Sequence, residues 1–154
     1  MKILFLLLTV VTSGWCYAHE DVARVLDNFH QAAGRADMET YLGLMTEDAV
    51  FLGTDAGERW DKQAFAGFVK PYFSQGKGWL YRPKERHITQ KSQHMAFFDE
   101  LLSNEHYGLC RGSGVVVKTD TGWKIAQYNL SIPLPNAIAK QVVRQIKALP
   151  QAKK

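Results

Sequence analysis

The sequence predicts an α+β fold in which helices cover one side of a bent antiparallel sheet. Two observations support this prediction. Segments with apolar residues at helical spacing come first, and segments with alternating side chains follow after Gly78. The chain has 154 residues, of which 46% are hydrophobic and 22% are charged. This length and composition are typical of one globular domain with a hydrophobic core.

The start of the chain, residues 1–18, predicts a secretory signal peptide. A lysine precedes the apolar run 3–11, and small residues lie one and three positions before a cut after Ala18. The apolar run is shorter than the roughly 20 residues that a spanning helix needs. We therefore expect an exported protein, periplasmic or secreted, with a mature domain of residues 19–154 and no stable membrane anchor after cleavage.

The two cysteines do not predict a disulfide framework. If Cys16 is removed with the signal peptide, Cys110 has no internal partner. Trp15 before Cys16 disfavours lipid attachment at that cysteine. We expect Cys110 to be a small packed residue on a strand rather than a reactive thiol.

The formal net charge is +4, and most basic residues are spread along the chain. A nucleic-acid-binding protein would need a concentrated basic stripe or aromatic stacking motifs, so we expect no nucleic-acid partner. The basic residues at the end of the chain predict the solvated side of a terminal helix. They are Lys140, Arg144, Lys147, Lys153 and Lys154.

Three helices are predicted in the first half of the chain. Apolar residues at helical spacing predict the first helix over 21–36 and a shorter one over 38–45. Asp61 is expected to cap the third helix, which continues to about Ser74. Pro71 removes a backbone donor near the end of that helix and should kink it or end regular bonding early.

Five strands, two of them paired in a hairpin, and a last helix complete the predicted fold. A short strand over 49–52 precedes the third helix, and two longer strands are predicted over 79–89 and 93–102. Residues 107–131 predict one long β-hairpin. Asn136 is expected to cap a terminal helix with an apolar side.

The hairpin turn at 119–122 sets the predicted register. Gly122 in the left-handed region would close a three-residue loop, so that Thr119 faces Trp123. Odd-numbered residues of both strands then share one face. Its end near the turn is apolar: Val115, Val117, Trp123 and Ile125. Its other end is polar: Arg111, Ser113, Gln127, Asn129 and Ser131. An apolar floor that leads into polar groups is typical of a small-molecule pocket.

Two glycines fall on the opposite face of this hairpin. Gly112 and Gly114 are predicted to face Leu130 and Tyr128. Bare glycines within a strand indicate a bend, and neighbouring large side chains can cover them. We therefore predict a strongly curved sheet with a pocket on its concave side.

This layout and four short segments resemble the SnoaL-like domains of the nuclear transport factor 2-like superfamily. The segments are Phe-Leu-Gly-Thr-Asp at 51–55, Glu-Arg-Trp at 58–60, Arg-Gly-Ser-Gly at 111–114 and Gly-Trp-Lys-Ile at 122–125. The resemblance covers about 20–147. It implies a cone-shaped, cystatin-like roll with three N-terminal helices on a curved antiparallel sheet, a C-terminal helix, a deep pocket and a homodimer. Because this fold hosts isomerases, cyclases, dehydratases and binding modules, it does not imply one activity.

The resemblance does not carry over the steroid isomerase chemistry of the fold. Those enzymes place a carboxylate base after the first strand and use a tyrosine and an acid as oxyanion donors. The corresponding positions here are Gly53, Phe29 and Gly114. Many SnoaL-like relatives carry a histidine where this chain has Asn129, which cannot act as a general base.

Asp99 is the first candidate for a catalytic group. It lies on a strand with apolar neighbours, and Arg111 on the next strand is its expected partner. The pair would either hold the strand register or orient a polar ligand. Glu100 points the other way and is the second choice at this position.

His87 and Asp55 are further catalytic candidates. His87 would act as a base near neutral pH or be an ordinary strand residue. Asp55 would be a carboxylate at the pocket mouth or would bond its own loop backbone. Glu58 in the same loop would take up a proton or form a surface ion pair.

No motif predicts a metal or a cofactor. The histidines show no metal-ligand spacing, and no glycine-rich phosphate loop follows a strand and opens a helix. We therefore expect neither.

The function predicted from the sequence is the binding of a small apolar or amphipathic molecule in the cone pocket. The predicted ligand-binding residues are Arg111, Ser113, Val115, Trp123, Ile125, Gln127, Asn129, Ser131 and Tyr41. One alternative is a cofactor-independent isomerase, cyclase or dehydratase that uses Asp99, His87 or Asp55. A second alternative is a dimerising assembly module.

Overall fold

The computed structural model describes residues 13–150, and side chains from residue 19. The predicted signal peptide therefore lies outside the described residues except for the backbone of 13–18. The helices are α1 (Ser13–Gly34), α2 (Met38–Gly43), α3 (Lys62–Phe73) and α4 (Asn136–Ala148). The strands are β1 (Met45–Leu52), β2 (Arg59–Asp61), β3 (Arg82–Ser92), β4 (Met95–Asn104), β5 (Gly108–Thr119) and β6 (Gly122–Ser131).

All six strands form one curved sheet with the order β2-β1-β6-β5-β4-β3. Neighbouring strands are antiparallel, apart from β1 and β6, which run parallel. The short strand β2 was not predicted. It pairs with the end of β1 and brings the loop between them back to the sheet edge. The α+β class predicted from the sequence is confirmed.

Side-chain caps position two of the helices. Asp37 accepts a hydrogen bond of 3.1 Å from the Thr40 N–H at the start of α2. Asp61 accepts one of 2.8 Å from the Ala64 N–H at the start of α3, as predicted. These bonds satisfy amide groups that have no partner within the helix. Helix α3 continues through Pro71 and ends two residues later.

The core lies between helices α1, α2 and α3 and one face of the sheet, here called the inner face. The core is rich in aromatic side chains and contains Leu26, Phe29, Tyr41, Phe65, Val69, Phe98, Val116, Ile125 and Tyr128. Phe29 and Tyr41 stack with ring centroids 4.2 Å apart. The helices cover only the inner face, so the other face of the sheet, here called the outer face, carries mainly exposed or half-buried side chains.

The register of the β5–β6 hairpin differs from the prediction near the turn. Thr119 pairs with Gly122, whose φ is +111°, and Lys118 pairs with Trp123. The expected pairing of Thr119 with Trp123 is therefore wrong. A β-bulge then leaves Ala126 without a partner on β5, and the predicted register is restored from Val115 onwards. Because one extra residue in a strand reverses the alternation of side chains, the two ends of β6 place their odd-numbered residues on opposite faces.

The two glycines of β5 lie on the inner face, opposite Leu130 and Tyr128, as predicted. A Cβ atom on Gly112 would collide with the Tyr128 hydroxyl group. On Gly114 it would collide with the backbone oxygen of Gln127. The absence of these side chains lets β6 and Tyr128 approach β5 closely.

Helix α4 follows the extended segment after β6. Pro135 occupies the cap position, and no side chain bonds to the first turn, so the predicted cap by Asn136 is wrong. None of the residues in α4 is buried. Among the described residues, we find no helix with both the length and the apolar character needed to span a membrane.

Candidate ligand-binding cavity

A cavity of about 480 Å³ opens at one end of the inner face of the sheet. We call it the aromatic cavity, because its wall contains Phe51, Trp60, Phe65, Phe68, Tyr72, Trp79, Tyr81 and Tyr107. These side chains come from β1, β2, α3, the α3–β3 segment and the β4–β5 loop. Their convergence depends on the fold and not on proximity in the sequence.

Helix α3 supplies one wall of the cavity. Phe65, Phe68 and Tyr72 recur at intervals of three and four residues, so they lie along one side of the helix. Phe65 is buried, whereas Phe68 and Tyr72 are exposed by 38% and 45%. Trp60 of β2 stacks on Phe68 with ring centroids 4.7 Å apart. The exposed aromatic surface is therefore held in a fixed position by its own stacking.

Close backbone contacts hold the opposite wall. The Trp79 N–H donates a 3.1 Å hydrogen bond to the carbonyl group of Ala33 at the end of α1. A Cβ atom on Gly78 would collide with that carbonyl oxygen, so this approach requires glycine. The ring of Trp79 packs on Phe73, with centroids 4.8 Å apart.

The β4–β5 loop forms the far rim of the cavity. Asn104 Nδ2 donates a hydrogen bond of 3.1 Å to the Leu80 carbonyl group. Its Oδ1 accepts hydrogen bonds of 3.0 Å from the N–H groups of His106 and Tyr107. One amide side chain thus fixes a loop that presents an imidazole and a phenol to the cavity.

The near rim carries the carboxylate group of Glu58. Glu58 Oε2 accepts a 3.1 Å hydrogen bond from the Asp55 N–H, and the Gly53 N–H donates to the Glu58 carbonyl group at 2.8 Å. A Cβ atom on Gly53 would collide with Glu58 Oε2. Gly53 therefore leaves the space into which the Glu58 carboxylate turns. Lys77 adds a cation to the same cavity.

A second polar feature is centred on a carboxylate inside the core and extends towards the surface. Glu100 of β4 is 1% exposed. His30 Nε2 lies 2.6 Å from its Oε1, the Tyr128 hydroxyl group donates to the same oxygen at 3.1 Å, and Arg86 Nε donates to Oε2 at 2.8 Å. Arg86 Nη1 also donates to Asp27 Oδ1 at 2.8 Å. We call these five residues the Glu100 cluster.

The charges of the Glu100 cluster stabilise one another. Burial acts to raise the pKa of Glu100, but hydrogen bonds and positive charge from His30 and Arg86 hold that pKa below its ordinary value. Burial, followed by the charge of Glu100, raises the pKa of Tyr128 well above its ordinary value. The cluster therefore contains an ionised carboxylate and a neutral phenol, and it ties α1 to β3, β4 and β6.

No member of the Glu100 cluster lines the aromatic cavity. Tyr81 lies between the two features, because it lines the cavity and its ring centroid is 6.4 Å from that of His30. Burial raises the pKa of Tyr81, which keeps its hydroxyl group protonated. The cavity wall is thus neutral and aromatic where it covers the charged cluster.

The predicted ligand-binding residues do not line this cavity. Six of them, Arg111, Ser113, Val115, Gln127, Asn129 and Ser131, lie on the outer face. The buried residues Cys110, Gly112 and Tyr128 alternate with them and occupy the inner face. The predicted placement of these six in an enclosed pocket is wrong, because the bulge at Ala126 separates their face from that of Trp123.

Three other predicted binding residues belong to the core. Trp123 and Ile125 are buried on the inner face near the turn. Tyr41 is buried between Phe29, Phe65 and other rings of the core, and its burial raises its pKa. None of the three lines the aromatic cavity.

The three predicted catalytic residues are also outside the cavity. Asp99 is exposed, opposite His87 and Ser113 on the outer face, and the structure shows no ion pair between Asp99 and Arg111 in its described part. His87 Nε2 lies 2.8 Å from Glu85 Oε1, with both side chains more than half exposed. Asp55 Oδ1 accepts a 2.8 Å hydrogen bond from the Gly57 N–H and so shapes its own loop. The catalytic placement of all three in the pocket is therefore wrong. The structure instead matches the alternatives given for two of them, an ordinary strand residue at His87 and a bond to its own loop backbone at Asp55.

Two sequence signals could have placed Glu100, the second choice after Asp99, ahead of its neighbour. Glu100 alternates along β4 with the same spacing as the buried residues Ala96, Phe98 and Leu102. Of the two adjacent carboxylates Asp99 and Glu100, it is therefore the buried one. Gly112 pairs with Glu100, and its missing side chain leaves space for the Tyr128 hydroxyl group to reach the Glu100 carboxylate. No comparable local signal marks Lys77 or His106, which reach the cavity only through loop geometry.

The fold and this cavity define an α+β cone with an aromatic mouth. A family model described as a SnoaL-like domain matches residues 22–135, so the chain belongs to the SnoaL-like domain family. A comparison with curated proteins finds no match. Within residues 13–150, no group of three or more histidine, cysteine or acidic side chains could hold a metal ion.

Solved structures with the same fold include proteins of several descriptions. A candidate scytalone dehydratase from Novosphingobium aromaticivorans is 13% identical, with a TM-score of 0.69 over 80% of this chain and 89% of its own. A nuclear transport factor 2-like protein of unknown function from Pseudomonas putida is 13% identical, with a TM-score of 0.67 over 91% and 98%. A ketosteroid isomerase-like protein from Erwinia carotovora atroseptica is 23% identical, with a TM-score of 0.58 over 75% and 96%. At these identities the likeness shows the fold alone.

Proposed function

We propose that this SnoaL-like domain binds a small aromatic or amphipathic molecule in the aromatic cavity. The observation that supports this proposal is the exposed, stacked aromatic wall of a cavity of about 480 Å³. Ligand pockets usually fall between about 300 and 1,000 Å³ and combine an apolar wall with a few polar groups. The polar groups here are at the rim: Glu58, Lys77, Asn104 and His106.

The arrangement favours a flat ligand whose polar end faces the rim. Trp60, Phe68 and Trp79 offer ring faces and edges, which suit a planar apolar group. Lys77 and the donors of the β4–β5 loop suit a carboxylate or a phenolic oxygen. Binding would then depend on aromatic contact area, with the rim setting the orientation.

Phe68 and Phe97 provide a matched test of this proposal. The two side chains are exposed by 38% and 43%, but Phe68 lines the cavity whereas Phe97 lies on β4 outside it. Titration with the amphipathic aromatic dye anilinonaphthalene sulfonate, followed by dye fluorescence, measures the affinity. We expect Phe68→Ala to weaken binding by about tenfold, which corresponds to the loss of one buried ring, and Phe97→Ala to leave it unchanged. Equal affinity in all three proteins would contradict the proposal.

An isomerase, cyclase or dehydratase is the second candidate function. The observation that favours it is the Glu58 carboxylate, which occupies the space left by Gly53 just after the first strand. A carboxylate beside an aromatic wall can take up a proton, and His106 or Lys77 can stabilise a developing oxyanion. Turnover of a keto compound that is lost in Glu58→Gln, with dye affinity retained, would support this candidate. If the protein binds the dye but turns over no keto compound, only the binding function is supported.

Export and dimerisation are further proposals. We propose that residues 1–18 are removed on export and that the domain acts outside the cytoplasm, as the N-terminal sequence predicts. Mass measurement of the mature protein should give a chain that begins at His19.

We also propose a homodimer through the outer face, where Met95, Phe97 and Leu109 are exposed. Sedimentation should then show a dimer that Phe97→Asp converts to a monomer.

A further inference from the structure

Helix α4 is amphipathic, and its apolar side is exposed. Ile138, Ile146 and Leu149, the last of which follows the helix directly, are exposed by 45%, 59% and 65%. The described structure buries no residue of this helix, whereas α3 buries three. Contiguous exposed apolar residues on a soluble domain commonly mark an interaction surface.

Apolar and basic side chains lie on opposite sides of α4. With 3.6 residues per turn, the larger apolar residues project to one side. They are Ile138, Val142, Ile146 and Leu149. The basic residues Lys140, Arg144 and Lys147 project to the other side. Helix α4 thus has the amphipathic pattern of a surface helix, but its apolar side does not pack against the rest of the described structure.

The end of the chain is uniformly positive. No acidic residue follows Asp120 in the sequence, and Lys153 and Lys154 extend the basic composition beyond the helix. The segment before α4 adds two exposed apolar residues, Ile132 and Leu134. A partner for this region must therefore accept apolar side chains and carry negative charge.

We propose that α4 binds reversibly to the surface of a membrane that contains anionic lipids. Apolar side chains would enter the boundary between headgroups and acyl chains, while the long basic side chains reach anionic headgroups. The 13 residues of α4 span about 20 Å at 1.5 Å per residue, which is less than the roughly 30 Å hydrocarbon core. The helix would thus lie in the plane of the surface. This proposal does not depend on the ligand of the aromatic cavity.

Charge favours a lipid surface over a second copy of this chain as the partner. Two α4 helices packed through their apolar sides would bury the apolar residues but would leave the cations without negative partners. An anionic membrane accounts for both sides of the helix.

Vesicle flotation of the mature chain tests the proposal. The vesicles consist of phosphatidylcholine with or without phosphatidylglycerol. We expect the wild-type protein to float with the anionic vesicles alone and to be released near 1 M salt, where the Debye length falls to about 3 Å. The triple variant Lys140→Gln, Arg144→Gln, Lys147→Gln should lose at least about tenfold in partition, and so should Ile146→Ser with Leu149→Ser.

A charge-matched variant separates a specific surface from net charge. The triple variant Arg82→Gln, Lys84→Gln, Lys118→Gln removes three exposed cations outside α4, and we expect it to float like the wild type. Equal losses in the two triple variants would overturn the proposal. A wild-type protein that does not float would also overturn it. A third such outcome is a wild type that binds no vesicles but forms a dimer in solution, which the double variant Ile146→Ser, Leu149→Ser dissociates.

Discussion

The aromatic cavity and the Glu100 cluster lie on the same face of the sheet but differ in charge and access. The cavity is open, and its wall consists of aromatic rings with polar groups only at the rim. The central carboxylate of the cluster, Glu100, is buried and is bonded to His30, Arg86 and Tyr128. Among the described residues, the buried carboxylate of Glu100 is thus paired with His30 and Arg86. These ion pairs stabilise the fold, whereas the proposed role of the cavity is to bind a small molecule through contacts with its aromatic rings.

This division of roles predicts that changes in the two regions affect different measurements. Variants of the cluster should change the free energy of unfolding, and variants of the cavity wall should change affinity. A cluster variant that mainly changes affinity, or a cavity variant that mainly changes the free energy of unfolding, would contradict this division of roles.

The largest effect is expected for Glu100→Gln. Loss of the carboxylate leaves the largely buried charge of Arg86 with Asp27 as its one acidic partner among the described residues. Breaking a buried ion pair commonly costs about 3 to 5 kcal/mol. Urea denaturation of the variant should show a loss in this range, towards the lower end because Asp27 remains.

Asp99→Asn is the matched control for Glu100→Gln. The two residues are adjacent on β4, and the chemical change is the same, but Asp99 is exposed on the outer face. We expect a change within about 0.5 kcal/mol. A loss in Asp99→Asn as large as in Glu100→Gln would show that strand β4, and not the buried cluster, is sensitive to the change.

A smaller effect is expected for Gly112→Ala. The added Cβ atom would collide with the Tyr128 hydroxyl group and would lie 3.0 Å from Glu100 Oε1. Overpacking of this kind costs about 1 to 3 kcal/mol. Thermal unfolding should show the loss. The control Gly67→Ala meets no atom within 4 Å and removes a glycine from α3, so it should stabilise the protein by up to about 1 kcal/mol.

The smallest effect is expected from pH, because burial opposes the lowering of the pKa of Glu100. A carboxyl group with a lowered pKa stabilises the folded state fully above its ordinary value of 4.5 and loses this contribution as the pH falls towards the folded-state pKa. The difference in unfolding free energy between the wild type and Glu100→Gln should therefore be constant near neutral pH and should shrink below about pH 4.5. A difference that stays constant down to pH 3 would contradict this assignment.

The sequence predicted the fold class and most of the helices and strands, because the periodicities and caps that define them are local. Asp61 lies at the start of α3, and Gly112 and Gly114 face Leu130 and Tyr128, as predicted. The extent of β1 and the existence of β2 were missed, since β2 is three residues long and depends on pairing with β1. The family assignment made from short segments is confirmed over 22–135.

The site could not be predicted in the same way. One unpaired residue, Ala126, decides which face of the sheet Gln127 and Asn129 occupy, and no sequence pattern around it marks a bulge. The aromatic cavity joins Trp60, Phe68, Trp79 and Tyr107, which are far apart in the chain. Their meeting depends on loop geometry, such as the bonds of Asn104, which periodicity does not encode.

Native mass spectrometry of the protein purified from the cells that naturally produce it tests the binding function most directly. We expect a small-molecule adduct on the wild type and on Phe97→Ala, and loss of that adduct in Phe68→Ala. An adduct of equal abundance on all three proteins, or none on any of them, would contradict ligand binding in the aromatic cavity.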